Sequence, residues 1–145
     1  DGRREEIMEN VETIRALCID TDVIIDYLRG REPGKSTFAN WRKKAEVLIT
    51  SITAFELLLG ANLSSKREER IIEVESLLNQ HGILAFDRDS ANEAAKKGAG
   101  LRVKGAMMEI RDLLNASICL SRKIPILTKN KAHYERITEL RVLTP

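Results

Sequence analysis

The sequence is short of most features that mark a specialised class. It has two cysteines in 145 residues, Cys18 in an apolar run and Cys119 in an apolar helical stretch. They read as small buried hydrophobes in a reducing cytosol rather than as a disulfide scaffold. No apolar run approaches the roughly 20 residues of a membrane span. Charge of one sign is not in excess: the formal net charge is +2, which by itself points to neither a nucleic-acid nor a membrane partner. Residues 1–15 are charged where the apolar core of a secretory signal would lie, so a cytoplasmic location is expected. Internal repeats, low-complexity segments and linkers are missing too. What is there is 43% hydrophobic and 32% charged, the balance of a soluble globular domain.

One stretch organises the rest. Ala16-Leu17-Cys18-Ile19 is an apolar run too brief for a helix and suits a buried strand. The polar triplet Asp20-Thr21-Asp22 follows, able to cap a helix. Val23, Ile24, Tyr27 and Leu28 then share a helical face, and Gly30 offers a stop. Asp20 therefore stands where a strand ends and a helix begins, at the edge where open parallel sheets bind ligands. An acidic residue there suits a cation.

Taken in order, Asp1 to Ile14 is a charged stretch with Ile7, Val11 and Ile14 on one helical side, read as an N-terminal extension or vector remnant. Met8 is a candidate natural start. Residues 15–145 form a single domain. Ser36 is expected to cap a short helix through Lys44, and Val47–Thr50 to form a second strand. Ser51 or Thr53 would cap a helix from Ala54 to Ala61. Lys66–Asn79 is an amphipathic helix with Ile71, Ile72, Val74, Leu77 and Leu78 facing inward. Gly82–Phe86 reads as a third strand, Asp87–Lys97 as an alanine-rich helix, and Arg111–Ser121 as a buried helix. Ile124–Thr128 is a fourth strand, with Pro125 tolerable near its start. A short helix at Ala132–Ile137 and an edge strand at Leu140–Leu143 close the chain. This alternation predicts a three-layer α/β/α sandwich on a mainly parallel sheet of about five strands.

The acids fall where such a sheet gathers its ligands. Asp20 follows strand one, Glu56 lies one turn into the helix after strand two, and Asp112 opens the helix before strand four. Thr128 and Asn130 follow strand four. Two carboxylates about 4 Å apart repel by roughly 4 kcal/mol at an effective dielectric of 20, so a cluster of three calls for protons or cations. Oxygen ligands without His or Cys suit Mg²⁺ or Mn²⁺ rather than zinc, and beside a phosphodiester such ions activate water and stabilise a leaving oxygen.

Four runs resemble, in order, the motifs of PIN-domain proteins of the VapC toxin branch: Asp20–Leu28, Ile52–Ala61, Ile110–Ile118 and Ile126–Ile137. The similarity covers about Ala16 to the C-terminus. It implies a metal-dependent endoribonuclease. Single-stranded or loop RNA is the expected substrate, since an exposed backbone must reach a recessed acidic site, with in-line attack by water leaving a 3′-hydroxyl and a 5′-phosphate. The resemblance also implies the toxin role in a toxin–antitoxin pair, with Asp20, Glu56 and Asp112 as carboxylates for Mg²⁺ or Mn²⁺. Asn130 stands at or near a fourth acidic position of many relatives, and an amide there puts a second metal in doubt. Asp22 departs from a usual asparagine. The resemblance further implies a VapB-like antitoxin covering the acidic groove; segments around Phe38, Trp41 and Leu57–Leu63 are candidates for that contact and for a homodimer.

Plainer roles compete at several positions. Helix capping alone suits Asp20, Asp22, Asp87 and Asp89, and complementing a helix N-terminus suits Asp112. Asp26 is expected on an exposed helix face, His133 in a cap or packing role, and Glu109 at the margin of the cluster. Arg42-Lys43-Lys44, Lys66-Arg67, Lys129 and Lys131 would meet RNA phosphates or simply face solvent. A signalling receiver domain also pairs an acidic cluster with Mg²⁺, but it needs an aspartate at the end of a central strand, and strand two ends in Thr50-Ser51. A catalytically degenerate PIN-fold module that binds RNA or protein is the remaining alternative.

Overall fold

The structure, a computed structural model, describes residues 13–145. The helix expected within Asp1–Ile14 thus lies almost wholly outside the described residues. From Ala16 onward the chain runs β1 (Ala16–Ile19), α1 (Thr21–Arg29), α2 (Gly34–Lys44), β2 (Glu46–Thr50), α3 (Ser51–Leu63), α4 (Arg67–Asn79), β3 (Gly82–Leu84), α5 (Arg88–Val103), α6 (Ile110–Arg122), β4 (Ile126–Leu127), a 3₁₀ turn (Lys131–His133) and β5 (Val142–Leu143). The five strands are parallel in the order β3-β2-β1-β4-β5. The order reverses at β1, so the crevice between the ends of β1 and β4 is where such a sheet takes a ligand.

The three layers follow from the two-residue period of the strands. Leu17 and Ile19 of β1, Val47 and Ile49 of β2, and Leu127 of β4 pack with α1–α4 in one apolar core. Cys18 and Ile126, pointing the other way, pack with Ala116, Cys119 and Tyr134 in a second. Full burial of each Leu or Ile contributes roughly 2 kcal/mol, and a one-residue slip of β1 would exchange both faces. Both cysteines are free thiols. Burial at the sheet–helix seam and contact with Cys18 keep Cys119 protonated: the Cys18 hydrogen bond and then desolvation raise its pKa.

The local starts and stops have identifiable causes. Asp20 caps α1, accepting from the Thr21 N–H at 2.8 Å. Gly30 ends it with φ at +66°, the left-handed turn that glycine adopts without strain. Helix α3 starts earlier than the sequence suggested. Its cap is Thr50, the last residue of β2, whose Oγ1 accepts from the Thr53 N–H at 3.1 Å, so strand passes into helix without a loop. Two burial expectations fail. Ile72 is 70% exposed on the outer face of α4, whereas Val74 and Leu77 are buried. Asp26, expected on the surface, is only 6% exposed, because α2 closes over it. Gly34, the first residue of α2, donates its N–H to Asp26 Oδ2 at 3.2 Å, and a Cβ there would stand 2.8 Å from the Val23 carbonyl oxygen.

Candidate active site

Asp20, Glu56 and Asp112 meet at the carboxyl edge of the sheet. Asp20 hangs from the end of the central strand, Glu56 from the second turn of α3, and Asp112 from the first turn of α6. Asp20 and Asp112 are buried, and the Glu56 side chain is 31% exposed. The cation they share is Arg111, the residue before Asp112. Its Nη2 lies 2.5 Å from Asp20 Oδ1 and 2.6 Å from Glu56 Oε1; its Nε donates to the same Glu56 oxygen at 2.8 Å. Its Nη1 stands 3.0 Å from Asp112 Oδ1 and donates to the Tyr134 hydroxyl at 2.6 Å. Burial would lower the pKa of this guanidinium, but the charge of Asp20 and the hydrogen bonds to Glu56 and Asp20 outweigh it and raise the pKa. One guanidinium against three carboxylates leaves a formal excess of two negative charges.

A polar frame holds Asp20 in place. Thr128 at the end of β4 donates to Asp20 Oδ2 at 3.0 Å, and the Tyr134 hydroxyl donates to the same oxygen at 3.0 Å. Tyr134 in turn accepts from Asn115 Nδ2 at 3.0 Å, and Asn115 accepts at Oδ1 from Thr50 Oγ1 at 2.5 Å. Thr21 donates to Glu56 Oε1 at 2.7 Å. Burial, and then the charge of Asp20, raise the Tyr134 pKa, so the phenol stays a donor across the physiological range. Arg111, Asn115, Tyr134 and Thr21 carry this frame; in the sequence Thr21 has only a place in the capping triplet and the other three have no role. Arg111, Asn115 and Tyr134 lie inside the motif runs Ile110–Ile118 and Ile126–Ile137, among other polar residues that do not set them apart.

Asn130 lies beside the cluster rather than in it. Its Nδ2 donates to Asp22 Oδ2 at 3.0 Å, and the Lys129 N–H donates to the same oxygen at 3.0 Å. Asp22 thus ties the loop after β4 to the start of α1. Burial first, then the charge of Asp20, raise its pKa. Lys129 pairs its Nζ with the buried Asp26 at 2.9 Å. His133 places Nδ1 3.5 Å from Asp112 Oδ2 with its side chain 53% exposed, so it borders the cluster. Glu109 is the exposed residue before α6. Asp87 caps α5, accepting from the Ser90 N–H at 2.9 Å, as expected. Phe38 is fully buried and so unavailable to a partner, whereas Trp41 is half-buried against the first core with Lys44 Nζ 4.2 Å from its ring centroid.

The donor set fits a hard divalent cation. Three carboxylates reach one cation, and their neighbours are hydroxyls, an amide and the half-exposed His133 imidazole beside Asp112, with no thiolate among them, a set dominated by hard oxygen. In the present arrangement the guanidinium lies among them, and among the described residues no three Asp, Glu, His or Cys side chains stand as a ready-made metal cage.

The chain is similar to several known proteins. The PIN domain matches residues 17–140. A Ribonuclease VapC from Rickettsia bellii is 30% identical over 88% of this chain and 95% of its own length. A DNA-bound VapBC from Salmonella typhimurium superposes with a TM-score of 0.79 at 26% identity, covering 90% of this chain and 98% of that one. VapBC-5 from Mycobacterium tuberculosis, of the VapBC family of toxin–antitoxin systems, shares the fold with a TM-score of 0.69 at 23% identity, over 90% of this chain and 98% of that one. With its motifs in order and its carboxylates gathered at one sheet edge, the chain belongs to the PIN-domain family, in its VapC branch.

Proposed function

We propose that this chain is a divalent-metal-dependent endoribonuclease, the toxin of a VapBC-type pair, and that Asp20, Glu56 and Asp112 are its metal ligands. Its membership of the VapC ribonuclease branch supports the ribonuclease activity. The observation that carries the site assignment is the convergence of three carboxylates, from β1, α3 and α6, on one guanidinium. Mg²⁺ or Mn²⁺ bound there would supply Lewis-acid activation of water and stabilisation of charge at the phosphate.

The protein's own share is orientation. Thr128 and Tyr134 hold Asp20 Oδ2, leaving Oδ1 toward Arg111, and Thr21 turns Glu56 toward the same point. Three carboxylates this close are favoured by positive charge among them, and Arg111 alone leaves them in formal excess, which supports a site for a further cation. A partner antitoxin would be expected to supply a basic side chain to this acidic groove. A second copy of the chain would seat on the exposed stripe Phe55, Leu59 and Leu63 of α3. The location expected for such a pair is the cytoplasm.

The test is cleavage of end-labelled RNA by the purified chain in Mg²⁺, Mn²⁺ or EDTA, beside Asp20→Asn. Cutting that needs the metal and falls at least 100-fold in the variant is the expected result. A folded, antitoxin-free protein that cuts with neither metal would sink the nuclease assignment and leave the degenerate binding module, with Asn130 the first residue to restore to aspartate.

A further inference from the structure

Arg111 occupies one oxygen of each of the three carboxylates. Its Nη2 and Nε hold Asp20 Oδ1 and Glu56 Oε1, and its Nη1 holds Asp112 Oδ1. We propose that Arg111 is the site's built-in counter-cation: it positions the three carboxylates in the metal-free protein, and a divalent ion binds by displacing it, so that Arg111 sets the metal affinity. This rests on reading those carboxylates as metal ligands.

Four observations support displacement over joint occupancy. The guanidinium takes one oxygen from each of the three carboxylates and lies at the point where they converge, so a small dication among them would face its positive charge across a few ångströms. The Arg111 side chain is 24% exposed, so it can leave toward solvent without unpacking the core. Asp20 would keep Thr128, Tyr134 and Asn115 when it goes, so the ligand best held by the frame stays put. Arg111 itself sits in the first turn of α6, one residue before Asp112, where a side-chain rotation needs no movement of the helix.

The test is Mn²⁺ binding to the intact RNA-free chain by titration calorimetry, in wild type, Arg111→Gln and Arg111→Lys. The glutamine variant should bind at least tenfold tighter than wild type, with the lysine variant between. Its metal-free form should melt lower, and saturating Mn²⁺ should recover more of the difference than it adds to wild type. Unchanged or weaker binding by a folded Arg111→Gln overturns the proposal while leaving the carboxylates as ligands. Failure of both wild type and variant to bind overturns the ligand assignment as well. Should the variant not fold, the wild type decides: its Arg111 Nε–Hε resonance should move along a Mg²⁺ titration, and a resonance that stays fixed through saturation overturns the displacement.

Discussion

Two groups of charges lie on either side of the first turns of α1, and they are balanced in opposite ways. On one side Asp26 meets Lys129 one to one at 2.9 Å, with the Gly34 N–H on the same oxygen. On the other, Asp20, Glu56 and Asp112 share the single guanidinium of Arg111. The first is a closed account of charge that fastens the loop after β4 and the start of α2 onto α1. The second is left anionic on purpose of its geometry: a neutral or one-to-one arrangement would be more stable there, since buried like charges repel. Excess charge held by a hydrogen-bonded frame is what sets the proposed metal site apart from the structural pair.

The largest effect on this contrast should come from Asn115, which is fully buried and links Thr50 to Tyr134. Asn115→Ala removes the acceptor of the Thr50 hydroxyl proton and a donor to Tyr134, leaving each buried polar group one partner short. A loss of about 3 kcal/mol is expected in urea denaturation, with cleavage falling as Asp20 loses its support. A loss under about 1 kcal/mol would mean that the frame around Asp20 is not what keeps the anionic side together.

The difference between the two sides also explains what the sequence could disclose. Asp20, Glu56 and Asp112 were legible because each sits at a place defined locally, by a strand end or the opening turns of a helix. The parallel sheet and its two cores were legible from apolar runs of strand length alternating with helical ones. Arg111 was not, because its partners Asp20 and Glu56 lie 91 and 55 residues away. Tyr134 meets Asp20 across 114 residues. Nothing in the local pattern marks such pairings. Asp26 was misplaced for the same reason: its burial is decided by a glycine eight residues on and by a lysine 103 residues on.

The balanced pair gives a smaller and pH-dependent effect. Lys129→Met leaves Asp26 with the Gly34 N–H alone, and because the Lys129 side chain is 35% exposed, water will soften the loss to about 1–2 kcal/mol. Lys129 lowers the Asp26 pKa below its ordinary 3.8, chiefly through the hydrogen bond to its ammonium. A lowered carboxylate contributes stability that is fully present above the unfolded value and is lost as pH falls through the folded one. Wild type and variant should therefore differ at pH 7 and converge as pH drops below 3.8 in equilibrium unfolding. A gap that survives at low pH would show that Lys129 acts by packing rather than by charge.

The smallest effect falls where the two sides touch. Asn130 donates to Asp22 Oδ2 at 3.0 Å, and Thr128 reaches both Asp22 and Asp20, so Asn130→Asp would set a carboxylate against one that Asp20 already disfavours. The metal-free variant should lose about 1 kcal/mol, visible as a drop of a few degrees in Tm. If Asn130 borders the cation site, saturating Mg²⁺ should close that gap, because the added carboxylate then gains a counter-charge. If the gap is the same in EDTA and in Mg²⁺, position 130 belongs with Asp22 to the structural side, and the excess charge that makes the site ends at Asp20, Glu56 and Asp112.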